Sequence, residues 1–139
     1  MAHAASSGMA EEKFSFEDLE VWQEAVEFAD RCLDVTDRIN DTRRHYRLLS
    51  QLESAAVSPA LNIAEGKGRY SKKEFVQFLY VARGSLFEAV TLLLIFRKRR
   101  WIGENEYLEL KRAAIRLGRR ISTLINAVRR SSQGLIEKL

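Results

Sequence analysis

Asn62-Ile63-Ala64-Glu65-Gly66 leads through Lys67 into Gly68-Arg69-Tyr70 and then Ser71-Lys72-Lys73-Glu74-Phe75. This stretch decides the fold, because it closes one helix and opens another. Gly66 and Gly68 are expected to supply the left-handed backbone that ends a helix. Ser71, with Glu74 three residues on, has the spacing of a capping box. Two helices joined by so short a break must run antiparallel.

Downstream of the break, the periodicity predicts a helix from about Lys72 to Arg99, roughly 40 Å long at 1.5 Å per residue. It is apolar nearly all round, from Phe75, Val76, Phe78 and Leu79 through Val81 and Phe87 to Leu92–Phe96. Such a helix needs burial on several sides. Gly84-Ser85 in its interior is expected to mark a close helix crossing, since glycine there costs about 1 kcal/mol against alanine. Upstream, a helix is predicted from about Thr42 to Glu65. Its core face is Leu48 or Leu49 with Leu52, Ala55, Ala56, Ile63 and Ala64, and Pro59 is expected to kink it.

Two further helices flank this pair. The first, from Phe16 to Ile39, has Ser15 as its expected cap and Glu17, Asp18 and Glu20 in its first turn. Leu19, Trp22, Val26, Ala29, Leu33 and Thr36 form its predicted core face. Val21, Phe28 and Val35 form a second stripe, read as an oligomer interface together with Phe78 and Val81. The last helix follows Gly103, from about Glu104 to Arg130, with a core stripe of Tyr107, Leu110, Ala114, Leu117, Ile121, Leu124, Ile125 and Val128. Short connections between four amphipathic helices imply an all-α, antiparallel up-down-up-down four-helix bundle over residues 16–131. Residues 1–15 are expected to be a flexible N-terminal segment, with Met1 to Gly8 a cloning remnant ahead of Met9. Residues 132–139 are expected to fray.

Composition narrows the function. The chain of 139 residues has one proline, seven glycines and a single Cys32, so no internal disulfide is possible. His3 and His45 have no partner cluster, so neither metal nor cofactor is expected. Uncharged runs are short, no secretory leader is evident, and a cytoplasmic protein without membrane contact is expected. The net charge of +4 is uneven: residues 1–96 carry 11 Lys/Arg and 15 Asp/Glu, residues 97–139 carry 12 and 4. The excess in the last part invites an acidic partner such as nucleic acid. Alternatively, the acidic first helix and the basic fourth attract each other.

Several stretches resemble a known family: Phe16-Glu17-Asp18-Leu19-Glu20-Val21-Trp22-Gln23; Gln51-Leu52 with Ala55-Ala56-Val57-Ser58; the central Asn62–Gly66, Gly68-Arg69 and Ser71–Phe75 with Phe78-Leu79; and Ala82-Arg83-Gly84-Ser85-Leu86 with Glu88. In this order they resemble the small four-helix proteins encoded within intervening sequences of bacterial 23S ribosomal RNA genes. The resemblance implies a ring-like homopentamer without established enzymatic activity, associated with ribosomal RNA by gene location. The architecture is also similar to accessory proteins of diversity-generating retroelements, basic pentamers that bind a reverse transcriptase and nucleic acid. Two departures stand out. The family's proline usually falls one place after Pro59, and an acidic residue often stands where this chain has Val90.

Asn62, Glu65, Arg83 and Glu88 are polar positions on otherwise apolar helices. They could line a cavity or fix helix register as a structural polar cluster, and the second reading is favoured. In that cluster Arg83 is expected to pair with Glu65 or Glu88. No nucleophile, metal set or phosphate loop accompanies the two glutamates, and no enzyme is expected. Arg43, Arg44 and Arg47 with Arg97, Lys98, Arg99 and Arg100 should share one pole of the bundle and offer a contact for phosphates. Tyr70, Tyr80 and Trp101 do not interleave with basic residues along the chain. Two functions of different kind therefore remain: a homo-oligomeric scaffold for a protein partner, or an accessory protein binding RNA or DNA without sequence preference.

Overall fold

The computed structural model describes residues 11–39 and 45–131. Among them are a 3-10 turn, Ser15–Asp18, and four α-helices: α1 (Glu20–Ile39), α2 (Tyr46–Lys67), α3 (Lys72–Lys98) and α4 (Glu104–Arg130). Residues 1–10, 40–44 and 132–139 lie outside the described residues, so the start of the expected flexible segment, the first break, Arg43, Arg44 and the expected frayed end are not placed. Contacts between helices fix the directions. Glu20 meets Arg120 while Arg38 meets Glu106, so α1 and α4 are antiparallel. Ser58 bonds Ser85 and Gln51 reaches Glu88, which sets α2 against α3. Arg83 bonds Ser122 and Arg97 reaches Glu104, which sets α3 against α4. The result is the expected up-down-up-down bundle, with α1 and α3 on one diagonal.

The core is a heptad seam. Buried positions alternate three and four residues apart: Val21, Ala25, Phe28, Cys32 and Val35 on α1; Leu49, Leu52, Ala56, Pro59, Ile63 and Gly66 on α2; Phe75, Leu79, Ala82, Leu86, Ala89, Leu93 and Phe96 on α3. This 3.5-residue repeat is what side chains need to interlock across slightly supercoiled helices. The predicted second stripe of α1 is thereby corrected. Val21, Phe28 and Val35 are 7, 2 and 0% exposed within the protomer and belong to its core. Of the predicted core face, Ala29 and Thr36 are buried and Leu19 and Trp22 pack against the core, but Val26 is 41% exposed. The true seam lies one residue, or about 100°, from the predicted one.

Three other expectations change. Phe14, not Ser15, precedes the first turn, its N–H donating to Glu17 Oε2 at 2.9 Å. Extended backbone at Leu19 then separates that turn from α1. Gly66 is buried inside α2 and Gly68 ends it with φ −82°, so neither closes the helix in a left-handed conformation. Gly84 is exposed, and a Cβ there would meet nothing within 4 Å, so no helix of the protomer crosses it closely. The Ser71 cap is as expected: its Oγ accepts from Glu74 N at 3.2 Å. At the far end of α3, Arg100 takes the left-handed position with φ 64°. Trp101 N–H donates to Phe96 O and Arg100 N–H to Arg97 O, both at 2.9 Å. With the Trp101 ring 5.0 Å from Phe96, this is a Schellman closure that uses arginine where glycine is usual.

Candidate interaction surface

α3 has the most apolar outward face of the described helices. Over 18 residues its mean hydropathy is 1.7, and by length and composition it could cross a membrane, although the uncharged runs of the sequence do not suggest it. A core helix of a bundle meets the same criterion. Only 33% of that window is buried. Its seam faces α2 and α4, and its back leaves Val81 53%, Phe87 58% and Ile95 38% exposed. Of the two α3 residues expected at an oligomer interface, Val81 is thus exposed and Phe78 half-buried. The Arg69 guanidinium lies 4.8 Å from the Phe78 ring.

Beside this face, α3 and α4 bound a groove of about 820 Å³. Leu86, Phe87, Val90, Ala114, Ile115 and Gly118 make its apolar surface. Gly118 lies against Leu86 in its floor, where a Cβ would stand at ordinary contact distance, 3.5 Å from Leu86 Cδ2. Arg83, Lys111 and Arg119 supply the charge, and no carboxylate lines it. Arg83 donates to Ser122 Oγ at 3.0 Å and covers the Tyr80 ring at 4.9 Å. The groove was not legible in the sequence, because its two walls lie some 30 residues apart. Val90, where an acidic residue was noted as absent, forms part of its wall.

The polar cluster is not assembled as expected. Asn62 Nδ2 donates to Ser58 O and Ser58 Oγ, both at 2.9 Å, and Ser58 Oγ lies 2.6 Å from Ser85 Oγ. This short chain of polar groups joins α2 to α3. Glu65 instead pairs with Arg69 one turn on, and Glu88 accepts from Gln51 at 3.5 Å. Arg83 turns towards α4, so the expected pairing with Glu65 or Glu88 is replaced by Ser122 and Tyr80. The four residues hold different helix contacts rather than one cluster.

The α1–α4 seam carries the charge asymmetry. Arg120 reaches both Glu20 and Glu24, Arg31 faces Glu109 at 4.0 Å, and Arg38 pairs with Glu106. Attraction between acidic α1 and basic α4, one of the two readings of the uneven charge, thus operates within the protomer through Arg120, while the Arg31 and Arg38 pairs run the other way, from cations of α1 to carboxylates of α4. Arg120 Nε stands 2.9 Å from Glu24 Oε1, yet both carboxylate oxygens are covered and lack a well-directed hydrogen bond.

At the pole where α3 ends, His45 stacks on Trp101 with ring centres 3.9 Å apart. That contact brings the start of α2 beside the α3–α4 turn, as expected for the basic pole. Arg47, Lys98, Arg99 and Arg100 are exposed there. Arg97 is different: it is half-buried, donates to both Glu104 oxygens at 3.3 and 3.4 Å, and covers the Tyr107 ring at 4.4 Å. It ties α3 to α4 rather than facing a ligand. The separation of aromatic from basic residues along the chain is also misleading. Arg83 and Arg129 both approach the Tyr80 ring, the second at 5.4 Å from the end of α4. Among the described residues no group of three or more His, Cys, Asp and Glu could hold a metal ion.

The family profile of the 23S rRNA-intervening sequence proteins matches residues 17–123. The chain belongs to that family. The match runs from the 3-10 turn through all of the α3–α4 groove. A solved structure from Bacteroides thetaiotaomicron VPI-5482, described as a protein of unknown function from the S23 ribosomal protein family, shares the fold. Its TM-score is 0.72 at 18% identity, over 76% of this chain and 97% of that one. No curated protein matches the chain.

Proposed function

We propose that this member of the intervening-sequence family is a non-enzymatic, cytoplasmic, homo-oligomeric scaffold that presents a basic pole to a protein partner. The supporting observation is the back of α3. A long apolar helix that leaves Val81, Phe87 and Ile95 exposed beside an apolar groove has the character of an unfinished core. Phe87 also lines that groove, so the exposed apolar surface continues from the back of α3 into it, and soluble monomers seldom leave large apolar surface of this kind uncovered. The family resemblance makes a ring of five copies the expected assembly. Light scattering tests it: a mass near 16.0 kDa at micromolar concentration refutes the oligomer.

A second reading, nucleic-acid binding without sequence preference, is favoured by one observation. Lys98, Arg99 and Arg100 project at one pole, with Arg100 held in a backbone conformation that glycine would adopt more easily. Retaining a cation there against a backbone cost points to use of its charge. Contact would be to phosphates, multiplied by the copies in a ring. A gel shift with RNA and DNA at about 50 mM salt, weakening steeply as salt rises, is expected on this reading. Replacing Lys98, Arg99 and Arg100 by glutamine should abolish it, with Arg97 left in place to keep the α3–α4 tie.

A further inference from the structure

We infer that the α3–α4 groove seats the acidic outer face of α1 from a second copy of this chain. The inference rests on the oligomeric reading above and specifies its contact. The groove has an apolar surface, three cations and no lining carboxylate. Its occupant should therefore be an amphipathic element with acidic flanks. The chain carries such an element. Asp30, Asp34 and Asp37 are exposed on α1, with Val26 exposed and Leu33 half-buried beside them, while Glu27 borders a cleft shared with Arg116 of its own α4.

Dimensions agree. Along α4, Lys111 to Thr123 spans roughly 18 Å, and Lys111 to Arg119 roughly 12 Å, at 1.5 Å per residue. Along α1, Asp30 to Asp37 spans roughly 10 Å. Two carboxylates of α1 can thus face Lys111 and Arg119 together, with Val26 over the apolar wall. The cations are available: Lys111 and Arg119 are exposed, and Lys111 only grazes the Tyr107 ring at 5.9 Å. Within one protomer α1 packs on α2 and α4, with its outer face turned from its own groove. The contact therefore joins different surfaces of successive copies, and such head-to-tail joining closes into a ring when the rotation allows.

Charge reversal tests the contact on the full chain. Lys111→Glu with Arg119→Glu gives a variant with an acidic groove, and Asp30→Lys with Asp34→Lys gives one with a basic α1. Each alone should fall from the wild-type mass to about 16 kDa by light scattering. Combining all four substitutions in one chain should restore the assembly, because every groove then meets an α1 of opposite charge whatever the number of copies in the ring. Circular dichroism checks the fold of each variant. Should a reversal unfold the chain, the neutral pair Arg119→Gln and Asp30→Asn replaces it, with a several-fold weaker assembly expected for each. An oligomeric wild type whose mass survives both reversals places the contact elsewhere and overturns this inference while the oligomer stands. Collapse of both reversals without rescue in the four-fold variant overturns the pairing of α1 with the groove and leaves an acidic partner of another kind as its occupant. A wild type of 16 kDa overturns the oligomeric reading and this contact with it.

Discussion

Gly66 of α2 and Phe78 of α3 touch so closely that a Cβ on the glycine would lie 2.8 Å from Phe78 Cβ. The same atom would stand 3.0 Å from Phe75 Cδ1 and 3.4 Å from Phe75 O. Two of these neighbours, a Cβ and a carbonyl, cannot swing away as the end of a flexible side chain could. Gly66→Ala should therefore push α2 from α3, at a cost of about 1–3 kcal/mol as for other overpacked sites. Urea unfolding would read the loss as a lower midpoint. Gly68→Ala is the control: its nearest new contact is 3.6 Å, and its φ is ordinary for alanine.

That pair of glycines also shows what the sequence could and could not convey. Helix ends at Lys72, Glu104 and Arg130 were legible because capping chemistry and glycine mark them locally. The role of Gly66 was not, because close approach to Phe78 depends on a residue across the turn. On α1 two seams compete, one residue apart. Val26 and Leu33 draw the eye to the outer one, while Ala25 and Cys32 are small but fully buried. Bulk signals hydrophobicity in a sequence, yet the tightest part of a bundle is often lined by small residues. The groove and the Tyr80 cluster were hidden for another reason: both need side chains of α4 brought beside α3.

Phe28 provides the direct check of the α1 seam. It is 2% exposed and sits within the protomer core. Phe28→Ala should cost about 3–5 kcal/mol, the range for a buried aromatic. Helix content and any assembly should be lost together as temperature rises. Retention of full thermal stability with loss of assembly alone would return Phe28 to an interface.

Arg100 should be replaceable with gain. Its φ of 64° places Cβ against the following carbonyl, a conformation that costs a non-glycine residue about 1–2 kcal/mol. Arg100→Gly keeps the Trp101 and Arg97 backbone bonds and removes that clash. The melting temperature should rise by a few degrees, about 1 kcal/mol in stability. If the second functional reading holds, the same substitution should weaken nucleic-acid binding, so stability and binding move in opposite directions.

Burial pushes the Cys32 thiol up from its ordinary 9.0 to about 12, against a smaller lowering by Arg31. The native state thus holds the thiol proton across a range in which the unfolded chain gives it up. This contribution is fully present below pH 9 and is lost as pH rises from 9 towards 12. The stability difference between wild type and Cys32→Ala should be flat from pH 6 to about 8.5 and shift against the wild type above it. Iodoacetamide should label Cys32 in urea and leave it unmodified in the native protein at pH 8, since both burial and the missing thiolate protect it.

Arg120 is the ion-pairing residue whose loss should matter most. Exposed pairs such as Arg38–Glu106 contribute about 0.2–1 kcal/mol at best. Glu24 differs because both carboxylate oxygens are covered and Arg120 is the cation beside them. Arg120→Met leaves that carboxylate without its counter-charge, with an expected cost of about 1–3 kcal/mol. Arg38→Met should stay within about 1 kcal/mol of the wild type. Adding Glu24→Met to Arg120→Met should recover much of the loss, because the double variant removes the stranded charge as well as the pair. Equal effects of Arg120→Met and Arg38→Met in urea unfolding would mean that water reaches Glu24 and that the α1–α4 seam is held by its apolar residues alone.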